Sequence, residues 1–316
     1  MTKRVLITGG AGFIGSHAAH RFLRDGWAVR VFDNLATGDM SNLTAIEREI
    51  DFCPADLRDQ DALAASMDGV DVVLHLGALG SVPRSLADPK TSHEVNATGT
   101  LNVLVAARDA QASRVVFSSS SSVFGSNREL PKSEDMAGSP MSPYAATKRI
   151  GEDYCRQFHE FFGLDTVVVR FFNVFGPGQS ANHAYAAVIP KFIDAAVEGR
   201  PVEVHGDGLQ SRDFTYVENA IDGLALLADT GNSGLAGEVY HLACGESISL
   251  LEILDSLEPL IGLPIARNHV DSRAGDIRDS LASIEKIRRA TGYTPMVTAT
   301  DGLAKTVAWF QQNRQG

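Results

Sequence analysis

Cysteine is scarce in this chain: Cys53, Cys155 and Cys244 lie far apart and are odd in number. That argues against a disulfide framework and against paired zinc-ligand spacing, so no metal is expected and a reducing compartment is. Long apolar runs are missing as well. No segment approaches the roughly 20 residues a bilayer-spanning helix needs, and the opening MTKRVLITGG lacks the longer hydrophobic region of a signal peptide. A soluble, cytoplasmic protein with no membrane partner is the expectation. Basic residues are outnumbered, 28 Lys and Arg against 39 Asp and Glu, for a formal charge of −11. A general phosphate-backbone binder carries the opposite sign, which argues against nucleic acid as a partner.

What is present suits a globular enzyme-sized chain: 316 residues, 44% hydrophobic and 21% charged, enough for one large domain or two moderate ones. Short β-rich runs, RVLIT (4–8), AVRVFD (28–33), DVVLHL (71–76), RVVFSS (114–119) and TVVVRFF (166–172), alternate with helical patterns near 13–25, 58–67, 92–111 and 143–162. Continuous apolar strands separated by helices predict an α/β fold with a doubly wound parallel sheet covered on both faces. After Asn173 the rhythm loosens, with helix candidates near 185–198, 217–229, 249–260 and 300–313. We expect residues 1–173 to form a nucleotide-binding domain, with segments of roughly 214–243 returning to it, and 174–316 to form a smaller substrate-binding region.

ITGGAGFIGSH follows the first strand and opens the first helix, placing glycines at Gly9, Gly12 and Gly15. They allow a tight turn, a close backbone approach to a pyrophosphate and close helix packing, beside the amides and positive end of the helix. Phe13 and Ile14 share that turn. Asp33, followed by Asn34, ends the second strand eighteen residues after Gly15, where a carboxylate can accept from ribose hydroxyls and would repel a 2′-phosphate. NAD is therefore favoured over NADP. Asp56 and Leu57, in PADL between the strand candidates at 28–33 and 71–76, stand where adenine would lie, although a helix-capping Asp explains the same residue.

In SPYAATK, Ser142 can cap a helix and Pro143 suits its first position, so Tyr144 and Lys148 share one face at i and i+4. A lysine charge beside a phenol lowers its pKa toward that of a usable base. An amphipathic helix with an ordinary exposed lysine has the same spacing. FSSSSSVFG closes the strand candidate at 114–119 at the carboxyl edge, where open α/β sheets bind ligands. His75, at another strand end, is read as satisfied by backbone.

Taken together, TGGAGFIGSH, DNL, HLGAL, the serine strand, SPYAATK, RFFNVFGPGQ, SRDFTYVEN and RAGDIRDSLAS resemble the motifs of the extended short-chain dehydrogenase/reductase family, in its nucleotide-sugar 4-epimerase branch. GSVPRS and AYAAVIPKF make the chain most similar to UDP-N-acetylglucosamine 4-epimerases. The resemblance implies a Rossmann domain with NAD, Tyr144 as catalytic base, Lys148 tuning it, and Ser120 bonding the reacting sugar hydroxyl with Ser121 as helper. It also implies a substrate site drawing on Ser81, Arg84, Asn173, Arg212, Arg273, Asp276 and Ser280, with Arg212 and Arg273 on the diphosphate, and a homodimer joined through the 92–111 and 143–162 helices. Surface ion pairing with Asp213 and Asp276 explains Arg212 and Arg273 equally well, and burial on the sheet explains the two helices.

Phe124 stands where the family usually has tyrosine, and Gly80 where some members have lysine. The implied reaction is reversible C4 epimerisation of a UDP-sugar through a 4-keto intermediate, preferring UDP-GlcNAc/UDP-GalNAc because Ser280 leaves room for an acetamido group. UDP-glucose/UDP-galactose is the alternative, with UDP-glucuronate and a non-catalytic NAD-binding module behind it. Ser121 and Ser122, rather than carboxylates, follow Ser120, which disfavours elimination chemistry.

Overall fold

Valine, isoleucine and leucine crowd the strands because each strand is buried on both sides. The computed structural model describes residues 2–181, 186–272 and 278–313. In it β1 (Arg4–Thr8), β2 (Ala28–Phe32), β3 (Ile50–Cys53), β4 (Val72–His75), β5 (Arg114–Ser120) and β6 (Thr166–Phe171) join Val239–Leu242 in a seven-stranded sheet. Its order is Val239–Leu242, β6, β5, β4, β1, β2, β3, and every pairing is parallel. Successive β1 side chains feed opposite cores. Val5 and Ile7 pack with Ala18, Phe22 and Ile221 on one face, and Leu6 packs with Leu63, Val103 and Phe158 on the other.

The chain leaves β1 toward β3 and then returns on the far side to β4, so the order reverses at β1. A crevice opens there at the carboxyl ends of the strands. Beyond β6 the chain adds the helices Val188–Val197, Leu250–Ile261 and Ala299–Asn313, and a parallel pair, Val202–His205 with Arg267–Val270. Among the described residues no helix is long and apolar enough to cross a membrane.

The expected 92–111 helix is divided. Pro89–His93 and Gly99–Asp109 are separated by a widened turn, Glu94–Thr98, which brings Asn96 to a buried position. Such a turn inserts a residue into the ladder and is invisible to a 3.6-residue pattern. Short helices at Val82–Ala87 and Glu285–Thr291 also lack a long enough period to be read. By contrast Pro143–Phe162 has the caps its sequence promised: the Ser142 hydroxyl accepts from the Ala145 amide at 3.1 Å, and Gly163 closes the helix at φ +69°.

That helix lies hard against β5. A Cβ added at Gly151 would fall 2.3 Å from Phe117 Cζ, so only glycine permits the approach. Gly151→Ala is expected to lower stability by about 1–3 kcal/mol through overpacking, read as a lower urea midpoint at unchanged slope.

Candidate active site

The glycine loop owes its shape to close approach. Gly9 has φ +68°, and a Cβ there would meet Gly77 Cα at 2.7 Å; one at Gly15 would sit 2.1 Å from the Gly9 carbonyl oxygen. Gly12 caps the helix Phe13–Arg24 with no side-chain bond, and no acidic residue occupies its first turn. A cavity of about 440 Å³ opens beside it, lined by Gly9, Gly12, Phe13, Ile14, Gly15, Asp33, Asn34, Asp56 and Leu57. The structure therefore brings all of these nucleotide-site candidates together. Arg58, Gly77, Leu79, Val95 and Ser118 line the same cavity and were not singled out from sequence.

Asp33 is buried and accepts from the Ala11 amide at 3.0 Å and the Leu35 amide at 2.8 Å. Burial pushes its pKa up and the two amides oppose the shift. Each carboxylate oxygen keeps a second acceptor position for a ribose hydroxyl. Asp56 lies beyond β3, which ends at Cys53, and it caps no helix; Asp59 does that by accepting from the Ala62 amide. Its carboxylate is gripped by Arg58 through Nε and Nη2, both at 2.8 Å, and by Asn34 Nδ2 at 2.7 Å. The Arg58 guanidinium holds it well below the usual carboxylate range. His75 is fully buried and neutral, its pKa pushed down to about 3 by desolvation. Its partners are the hydroxyls of Thr8 at 2.8 Å and Thr100 at 2.9 Å, rather than backbone as expected from sequence.

At the carboxyl end of β5 the serine run meets the catalytic-helix candidate. The Ser120 hydroxyl faces the Tyr144 phenol and favours its ionised form. Lys148 is buried, and its Nζ donates to the Ser118 carbonyl at 2.6 Å. Desolvation lowers the Lys148 pKa to about 8, so it remains largely protonated at neutral pH. The expected acidification of the phenol by this ammonium does not appear. Burial instead raises Tyr144 above its ordinary value, opposed by the Ser120 hydroxyl. Ser121 is half-buried at the start of the short turn Ser121–Phe124. Asn96 supplies a link not foreseen: its amide bonds both the Leu79 amide, at 2.7 Å, and Thr147 Oγ1, at 3.2 Å, tying a cavity wall to the Tyr144 helix. A buried asparagine in an apolar helical stretch was the available signal.

A second cavity of about 590 Å³ lies beyond β6, lined by Asn173, Lys191, Arg200, His205, Gln210 and Arg212 among others. Asn173 has a left-handed backbone, φ +36°, and its Nδ2 donates to the Asp213 carbonyl at 3.1 Å. Arg212 donates to the carbonyls of Ser211 and Arg278. Asp213 is fully buried. Its carboxylate accepts from the amides of Cys244, Gly245 and Ala282, while desolvation pushes its pKa up to about 6. The Ser280 amide donates to the Ser211 carbonyl at 3.1 Å, though Ser280 itself lines neither cavity. Ser81 caps Val82–Ala87 by accepting from the Arg84 amide at 3.1 Å, and both residues are half-buried outside these two cavity walls. Arg273 and Asp276 lie outside the described residues.

Residues 5–243 match the sequence model of the NAD dependent epimerase/dehydratase family. The UDP-glucose 4-epimerase of Mycolicibacterium smegmatis is 35% identical, covering 99% of this chain and 100% of that protein. Among solved structures, the UDP-N-acetylglucosamine 4-epimerase of Methanobrevibacter ruminantium M1, in complex with UDP-N-acetylmuramic acid, superposes with TM-score 0.93 at 38% identity over 99% of both chains. The UDP-glucuronic acid 4-epimerase of Bacillus cereus, in complex with UDP-glucuronic acid and NAD, gives TM-score 0.92 at 31% identity over 98% of this chain and 99% of that one.

Gly15→Ala should leave the purified protein without bound dinucleotide, since its methyl cannot coexist with the Gly9 carbonyl. Nucleotide released on denaturation and quantified by chromatography checks this; retention at the wild-type level contradicts it.

Proposed function

This chain belongs to the NAD dependent epimerase/dehydratase family, and from that premise we propose that it interconverts UDP-GlcNAc and UDP-GalNAc by inverting C4. The observation that carries the reading is the helix Pro143–Phe162 docked on the end of β5, with Lys148 Nζ fixed on the Ser118 carbonyl at 2.6 Å and Tyr144, one turn away, facing Ser120. Ser118, on the same strand end, lines one cavity, and Asn173, just past the end of neighbouring β6, lines the other.

Gly9, Gly12, Phe13, Ile14, Gly15, Asp33, Asn34, Asp56 and Leu57 would hold the NAD, with Tyr144 and Lys148 at its nicotinamide end. NAD supplies a reversible hydride acceptor for C4. Tyr144 takes the proton of the C4 hydroxyl and later returns it, while Ser120 orients that oxygen. Lys148, fixed on Ser118, keeps a positive charge beside the reacting groups. Asn173, Arg212 and Arg273 would anchor the diphosphate, a role that suits the guanidinium fork, while the 4-keto sugar turns its other face. Hydrogen returns to the opposite side, so C4 is inverted without net redox change. Ser81, Arg84, Ser121, Asp276 and Ser280 would complete the sugar site, and two copies of the chain would pair through the Gly99–Asp109 and Pro143–Phe162 helices.

The acetamido preference is supported by Ser280, whose backbone is pinned to Ser211, the residue before Arg212. A small side chain there permits the bulkier substrate without excluding the plain hexose. Incubation with UDP-GlcNAc followed by NMR should show UDP-GalNAc forming, and kcat/KM on the acetamido pair should exceed that on the glucose/galactose and glucuronate/galacturonate pairs. Tyr144→Phe should cut kcat by roughly 10²–10⁴-fold with bound NAD retained; wild-type turnover in this variant would eliminate the assignment. Ser280→Tyr should abolish acetamido turnover and spare the hexose, and equal losses on both would refute the gate.

A further inference from the structure

Tyr144, Lys148 and Glu152 stand at i, i+4 and i+8, one stripe along the helix Pro143–Phe162. Each faces a different residue of the same strand end. Tyr144 meets the Ser120 hydroxyl, Lys148 Nζ donates to the Ser118 carbonyl at 2.6 Å, and Ser119 Oγ donates to Glu152 Oε1 at 2.5 Å. The first two of these touch the chemistry; the third is buried behind it.

Glu152 is held from the neighbouring strand as well. Ser119 and Arg170 are register partners in β5 and β6, so their side chains rise on one face of the sheet. Arg170 clasps Glu152 with Nε and Nη2, both at 2.8 Å, and all three residues are at most 5% exposed. The guanidinium also lies over the Phe124 ring at 4.9 Å and donates to the Glu134 carbonyl at 3.1 Å, which leaves it little freedom to shift. Buried ion pairs contribute little net stability because desolvation offsets their attraction, and apolar residues would fill this space as well or better. What an apolar cluster lacks is direction: a bidentate fork admits one geometry.

We propose that the Ser119–Glu152–Arg170 cluster is a positioning device that fixes how far the Tyr144 helix slides along β5, and hence the reach of the phenol to the reacting hydroxyl. The inference rests on the reading of Tyr144 as the base. Phe117 against Gly151 sets the distance between helix and strand, and the cluster sets their relative position along the axis. Lys148 cannot do the second task alone, since a single ammonium rotates about one carbonyl, whereas the carboxylate is held from two strands at once.

Ser119→Ala tests this, because it removes the strand's hold on Glu152 and leaves the fork to Arg170 intact. Displacement on the order of 1 Å near a reacting centre costs up to about a hundredfold, so kcat should fall about ten- to a hundredfold, with KM, bound NAD and thermal midpoint unchanged. In the Ser119→Ala/Glu152→Leu double variant the loss should equal that of Glu152→Leu alone, since leucine leaves the Ser119 hydroxyl no acceptor to lose. Should Glu152→Leu not fold, Ser119→Thr takes its place and should restore kcat by restoring the hydroxyl. Unchanged kcat in Ser119→Ala, losses that multiply, or no recovery with threonine overturns the inference. Wild type and Tyr144→Phe assayed alongside separate the two levels. If wild type does not epimerise, or Tyr144→Phe turns over normally, the functional reading falls and takes the inference with it; a normal wild type and a dead Tyr144→Phe beside an unaffected Ser119→Ala overturn the inference alone.

Discussion

The contact between β5 and the helix Pro143–Phe162 is what the site depends on. A glycine opposite an aromatic ring lets the two backbones come close, and polar side chains spaced along the helix then find partners on three consecutive serines. Because the strand is central in the sheet, flanked by β4 and β6, its end cannot move without disturbing both neighbours. The helix is thereby referenced to the most rigid part of the molecule. A side chain positioned this way keeps its geometry, which the proposed proton transfer from a turning sugar would require.

Electrostatics divide the site into two halves of different character. On the dinucleotide side the charges are mostly spoken for: Asp56 is clamped by Arg58 and Asn34, and Asp33 is steadied by two amides. On the far side a buried carboxylate organises the loops. Asp213 gathers the Cys244–Gly245 turn and Ala282 through their amides, and its own carbonyl holds Asn173. Desolvation makes the ionised form costly, as the elevated pKa records, so those amides offset a penalty the fold imposes on itself. The arrangement ties three segments to one residue.

Much of this was legible in the residues. The glycine loop, Asp33 and the Tyr144/Lys148 spacing carry their geometry in short range, where turn and helix periodicity decide it, and the structure gathers the dinucleotide candidates around one cavity. The family follows from the same motifs. Less local features were not readable. Glu152 and Arg170 each carried a signal, a charge within a buried stretch, but their pairing depends on the register between β5 and β6. Asn96 needed a widened helical turn, and the two threonines around His75 come from β1 and from the far end of another helix.

The amino-acid sequence by itself determined the alternating strands and helices, the glycine turn, the acidic partner for a ribose, and the phenol and ammonium on one helical face. All of these are set by interactions within a few residues. Tertiary structure alone decided that the ammonium would donate to a strand carbonyl, that burial would raise the phenol, and that a carboxylate two turns along would be held from two strands. The physical reason is that hydrogen bonds between elements depend on how those elements pack in three dimensions, whereas a local pattern fixes only the face on which a side chain stands.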